Sequence, residues 1–245
     1  MKTNLERFFS SFVTTIVLLL IYAFGLAVAT FIEKYHGTAI AKAMVYYSPL
    51  FFLLQFLLVV NFIAATLKHQ YLKRGRWGLM LTHFAFIVIL LGALTSFLFG
   101  EEGILHLREG ETSNQIAVRT SDNTTFHTLP FSVELKKFTL TRYPGSASPS
   151  SYESEVIVHV DGEDREERIF MNNVLDVKGY RFFQASYDQD EQGTILSVNR
   201  DVAGRNLTYA GYLLLVIGLI FCLVGKNSRF MRQSRRLKEL RKAAG

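Results

Sequence analysis

Four stretches of this chain, 8–32, 43–67, 77–100 and 206–225, contain no Asp, Glu, Lys or Arg. Each holds the roughly 20 apolar residues that a helix needs to cross a hydrocarbon layer of about 30 Å. A mean hydropathy of +0.20 and 49% hydrophobic residues are high for 245 residues because the apolar side chains are bunched, not because they are spread throughout. The pattern predicts transmembrane helices over about 12–31, 46–66, 78–99 and 206–225, a separate segment over 101–205, and a basic tail over 226–245.

The charges orient these spans. Lys2 and Arg7 precede the first, Lys68, Lys73, Arg74 and Arg76 lie between the second and third, and eight Lys or Arg follow the fourth. The positive-inside rule therefore assigns both termini to the cytoplasm and residues 101–205 to the opposite side. That segment carries 18 acidic and 11 basic side chains, net −7, while the remainder has 16 basic and 3 acidic, net +13, which together make the chain's +6. The pI of about 9.4 is thus a signature of topology and not of nucleic-acid binding. The tail can also meet anionic membrane lipid. Lys2, Arg7 and the small residues Ala27-Val28-Ala29 resemble a secretory signal, but the apolar run from 12 to 31 is longer than a signal core, and the first span is read as a retained anchor.

Packing faces are legible inside the spans. Gly78, Thr82, Ala85, Gly92 and Ser96 share one face of the third, and Gly211, Gly218, Cys222 and Gly225 one face of the fourth, which lets two backbones approach closely. Ser48-Pro49 reads as an N-cap and first-turn proline opening the second span. Gln55 and Asn61 inside that span are read as interhelical hydrogen-bonding groups. Outside the membrane, FSVEL (131–135) and EVIVHV (155–160) alternate, Asp161-Gly162 marks a turn, and GYRFFQASY and TILSVNR flank the DQDEQG turn. PGSASPSS (144–151) reads as a loop. The fold expected is a polytopic α-helical membrane protein of four transmembrane helices, with an extracytoplasmic antiparallel β-sandwich-like domain between helices 3 and 4.

Motif chemistry is sparse. A single cysteine, Cys222, excludes an internal disulfide, a CxxC redox pair and self-attachment of haem through CxxCH. No P-loop, HExxH or GxSxG is present, and no catalytic residue is assigned. What stands out is His83, an imidazole about 9 Å inside the third span. Such a group either hydrogen-bonds to a neighbouring helix or offers a ring nitrogen to a metal, commonly haem iron. His69 is expected in the loop after the second span, about 12 Å away along the membrane normal and solvated. His36 lies just past the first span, and His106, His127 and His159 belong to the β segment, where an isolated histidine is read as structural or solvent-facing.

The blocks THFAFIVILLGALTSFLFGEEGILHLREGET and MNNVLDVKGYRFFQASYDQDEQGTILSVNRDVAGRNLTYAGYLLLVIGL, set in three spans, a domain and a final span, resemble the ResB/CcsB family of cytochrome c biogenesis proteins. The resemblance implies a subunit of the System II machinery in the bacterial cytoplasmic membrane, or the CcsB portion of a fused CcsBA-type haem exporter and synthase. With a CcsA-type partner bearing a tryptophan-rich WWD segment, such a subunit carries haem b outward, as substrate and not as permanent cofactor, for attachment to the CxxCH motifs of apocytochrome c. A thiol reductant of the CcsX/ResA type completes the set of partners, and nucleic acid is not among them. Trp77 is the only tryptophan, so the chain lacks the WWD segment and is not expected to be a self-sufficient haem lyase. His83 falls at the family's intramembrane histidine, which the resemblance makes an axial ligand of haem iron. The segment between spans three and four is shorter than in many relatives. Two readings from other classes stay open: a membrane-anchored adaptor without haem, and the b-type haem subunit of an electron-transfer complex.

Overall fold

The computed structural model describes residues 4–119, 123–225 and 228–243; Lys2, Lys226 and Gly245 of the basic termini lie outside them. It divides into two compact units, one made of the helices from both ends of the chain and one spanning Phe99–Val202. Among the described residues four helices are long and apolar enough to cross a membrane: α2 (Phe12–His36), α4 (Pro49–His69), α5 (Trp77–Phe99) and α6 (Val202–Val224). Shorter helices flank them: α1 (Asn4–Phe9), α3 (Thr38–Ala41), a π-turn over Lys42–Tyr46, and α7 (Arg229–Ala243).

The α4 start follows the sequence signal. Ser48 sits in an extended conformation and its Oγ accepts from Phe51 N at 3.2 Å, with Pro49 at the first helical position where no N–H is needed. On the inner face, Leu54, Leu58 and Phe62 of α4 are buried with Leu18 of α2, and the Tyr22 and Phe51 rings stack at 5.0 Å. The polar residues of α4 bond between helices, as expected. Asn61 is fully buried, its Nδ2 donating to Phe9 O at 2.6 Å and its Oδ1 accepting from Thr15 Oγ1 at 2.7 Å, while Gln55 hydrogen-bonds with Tyr22.

Helices α5 and α6 run antiparallel at very close range. A Cβ at Gly78 would lie 2.5 Å from Cys222 N, one at Gly218 2.9 Å from Thr82 N, one at Gly211 2.6 Å from Ile89 Cγ1, and one at Gly92 2.3 Å from Thr208 Oγ1. The small-residue faces of both helices are therefore each other's partners, the arrangement expected where van der Waals packing replaces hydrophobic drive.

The second unit is one antiparallel sheet of eight strands: β1 (Glu101–Arg108), β2 (Thr112–Arg119), β3 (Thr124–Arg142), β4 (Pro149–Val160), β5 (Glu163–Phe170), β6 (Leu175–Val177), β7 (Tyr180–Tyr187) and β8 (Gly193–Arg200). Their order is β5-β4-β3-β2-β1-β8-β7-β6, and the sheet curls until β5 approaches β6 and β7, giving a barrel-like body. Alternation places Phe131, Val133 and Leu135 of β3 and Val156, Val158 and Val160 of β4 on the buried face with Leu105, Phe182 and Leu196. Two facing walls thus share one core, as in a sandwich, while the backbone stays one continuous sheet. Asp161 (φ 54°) and Gly162 (φ 82°) make the two-residue turn between Val160 and Glu163 that the right-handed strand twist favours. The Pro/Ser-rich loop is shorter than its composition suggests, because Pro149 already pairs with Arg142 as the first residue of β4, a place proline tolerates.

A histidine-lined cavity at the basic end of the helical unit

His83 lies on α5 two turns after its start, on the side facing α4. Its Nδ1 is 3.1 Å from Thr66 Oγ1, which in turn is 2.8 Å from Phe62 O. A hydroxyl has one proton. If Thr66 donates it to the Phe62 carbonyl, the contact with His83 must run the other way, Nδ1–H donating to Thr66 Oγ1. The network therefore assigns the Nδ1–H tautomer, and Nε2 carries the lone pair. Among the described residues Nε2 has no hydrogen-bond partner, yet no buried side-chain nitrogen or oxygen is left unpaired, so Nε2 must be open to a neighbouring space.

His83 lines a cavity of about 810 Å³, within the range of roughly 300–1,000 Å³ typical of ligand pockets. Its walls come from the start of α2, the end of α4, the turn before α5, the first two turns of α5, and the end of α6 with the start of α7. Phe12, Ala65, Leu79 and Phe221 supply apolar surface, and Trp77 stands at its edge, half exposed. The Phe62 ring lies 5.3 Å from the imidazole, which holds the ring against α4.

His69 is placed differently from the solvated loop position the sequence indicates. It is the last residue of α4, half-buried, and lines the same cavity as His83. Gln70 caps α4 in the left-handed conformation (φ 49°, ψ 46°), so the helix ends at His69 and the chain changes direction just after it. Tyr71 then inserts between the histidines, stacked on His69 at 5.5 Å and edge-on to His83 at 5.4 Å. Burial raises the Tyr71 phenol above its usual range, so it remains a neutral donor throughout the physiological range. Neither Thr66 nor Tyr71 carries a motif signal; only the bond to His83 and the ring contacts single them out.

The remaining histidines sit apart from this cavity. His106 Nε2 bonds the Asp188 carboxylate at 2.9 Å beside Arg108, and His159 bonds Asp164 at 2.6 Å with Glu134 nearby, contacts that hold neighbouring strands together. His36 ends α2 at the surface, and His127 is exposed on β3. Among the described residues no cluster of three or more His, Cys, Asp or Glu could hold a bare metal ion.

Three similarities accompany this geometry. Protein NrfI of Wolinella succinogenes is 33% identical over an alignment of 336 positions that covers 96% of this chain and 37% of NrfI. The chain thus spans little more than a third of that relative, and the alignment exceeds the chain's 245 residues because NrfI has extra residues within the matched region. The solved cytochrome c haem lyase CcmF matches 83% of this chain and 34% of its own at 14% identity and a TM-score of 0.38, too loose a likeness to inform the site. The model of the ResB-like family matches residues 73–208, from the turn before α5 through the β unit into α6, and with more than half of its length so matched the chain belongs to the ResB-like family.

Proposed function

We propose that this chain is the haem-receiving subunit of a cytochrome c maturation system, taking haem b as substrate on His83 and passing it, with a CcsA-type partner, toward covalent attachment to apocytochrome c. The observation that carries this reading is that His83 lines a cavity of about 810 Å³ while its Nδ1 is held at Thr66, which leaves Nε2 as the ring nitrogen without a hydrogen-bond partner among the described residues. A neutral imidazole fixed in that tautomer is what an axial ligand requires. The basic residues around the cavity favour a cytoplasmic position for this end of the bundle. Haem made inside the cell would then be met where it enters the membrane, and the acidic β unit would lie on the far side near the apocytochrome and the thiol reductant. One imidazole leaves the opposite axial position of iron to the partner, so the chain acts as part of a haem lyase complex and not alone.

The test is to purify the chain alone and with its CcsA-type partner, as wild type and His83→Ala, and to record oxidised and reduced visible spectra. Little haem is expected alone, clear haem in the complex, and most of it lost in His83→Ala with normal protein accumulation and failed cytochrome c maturation. A mutant complex with wild-type haem and normal maturation would leave His83 as a packing residue. Absence of haem under every condition would favour the adaptor reading. Stable haem that cycles but is never transferred would favour an electron carrier.

A further inference from the structure

Two cations share the cavity with His83. Arg76 ends the turn before α5 and Arg232 lies on α7, and both line the wall. Among the described residues neither guanidinium forms an ion pair, whereas Arg108, Arg142, Arg165, Arg168, Arg181 and Arg200 of the β unit all do. The helical unit contains only three carboxylates in sequence, Glu6, Glu33 and Glu239, against its many basic residues, so little internal charge is available to neutralise this pair. Arg76 is half-buried and Arg232 exposed, so both forks are open to an anion entering the cavity, and a planar guanidinium suits a carboxylate.

We propose that Arg76 and Arg232 receive the two carboxylates of an iron porphyrin whose metal takes His83 Nε2, a cradle that rests on the haem reading above. Arg76 immediately precedes α5, whose first residue lies six residues, about 9 Å of helical rise, before His83. That separation matches the radius of a porphyrin plus a propionate arm meeting the reach of a guanidinium. Phe12, Leu79 and Phe221 would contact the apolar macrocycle between the two ends. The same chemistry gives the ligand a direction: carboxylates toward the basic end, vinyl edge toward the bundle interior.

The experiment uses the full chain in lipid nanodiscs and zinc protoporphyrin IX, because zinc in a porphyrin takes a single axial ligand and needs no partner subunit. Its dimethyl ester serves as the comparison ligand, with the same ring and metal but no carboxylates. Wild type should bind the acid about tenfold or more tighter than the ester. Arg76→Gln/Arg232→Gln should lower acid affinity to that of the ester and leave the ester unchanged. The pair Arg235→Gln/Arg236→Gln, which is exposed like Arg232 but does not line the cavity and removes the same net charge, should leave the acid-to-ester ratio as it was. His83→Ala should abolish the absorption shift of axial ligation with both porphyrins. Equal affinities for acid and ester in wild type, or an equal loss in the Arg235/Arg236 variant, would overturn the cradle while His83-dependent binding still stood. Binding of neither porphyrin in a manner dependent on His83 would overturn the haem reading and the cradle with it.

Discussion

At the scale of single residues, the least conspicuous side chain near His83 has the most defined task. Thr66 Oγ1 stands between Phe62 O and His83 Nδ1, and its single proton decides which ring nitrogen is free. Thr66→Val keeps the shape but removes the acceptor, leaving Nδ1–H without its partner and the ring free to reorient. Haem affinity in the complex with the CcsA-type partner should fall about tenfold or more, by analogy with losses on removing the outer hydrogen bond of a metal-bound histidine. The reduced-state absorption band should shift as well. Thr66→Ser restores the hydroxyl and should recover most of both, whereas a purely steric role would be served by valine and not by serine.

At the scale of elements, the α5–α6 pair is held by glycines whose neighbours leave no room. A side chain at Gly211 would overlap Ile89 and one at Gly218 would overlap Thr82, both on α5. Gly218→Leu should destabilise the helical unit by about 1–3 kcal/mol or more through overpacking, seen as lower accumulation and a lower unfolding temperature in detergent. Leu219→Ala, at the exposed position next to it, should be near neutral. In the β4–β5 hairpin, His159 is held above the ordinary histidine pKa chiefly by its hydrogen bond to Asp164, with Glu134 adding to it. A raised folded-state pKa means the contribution is fully present below the unfolded pKa of about 6.5 and lost as pH rises through the folded value. The unfolding temperature of the Phe99–Val202 unit should therefore decline modestly from mildly acidic to mildly alkaline pH, and His159→Gln should flatten that part of the profile.

At the scale of the whole molecule, orientation and the division of labour between the units can be checked together. A reporter active only outside the cytoplasm should be active when inserted after Ser150, in the β unit, and silent at the C-terminus, as the distribution of Lys and Arg requires. Residues 99–202 produced alone should give a β-rich monomer, since their buried core is self-contained. Haem should bind it weakly or not at all, because His106 and His159 are engaged with carboxylates and His127 stands on an exposed part of β3. Tight stoichiometric binding by that fragment would move the haem site out of the helices.

The sequence by itself determined the four spans, the strand periodicity, the Ser48 cap, the small-residue faces and the singularity of His83. Each of these is a local property: absence of charge over 20 residues, alternation over six, or one polar residue in an apolar run. What it could not determine was which faces meet. The spans are apolar nearly all round, so no stripe of hydrophobicity says whether α4 or α2 stands beside His83. Only the tertiary structure brought together His69, Tyr71, His83, Phe221 and Arg232 around one cavity and set Thr66 against the His83 ring. His69 shows the reason most directly: the helical rise sets its depth, but that it lines the same cavity as His83, with Tyr71 in contact with both rings, follows only from how the helices pack. The closing of the sheet has the same origin, since alternation fixes the inward face of every strand while the meeting of β5 with β6 and β7 depends on twist accumulated over all eight.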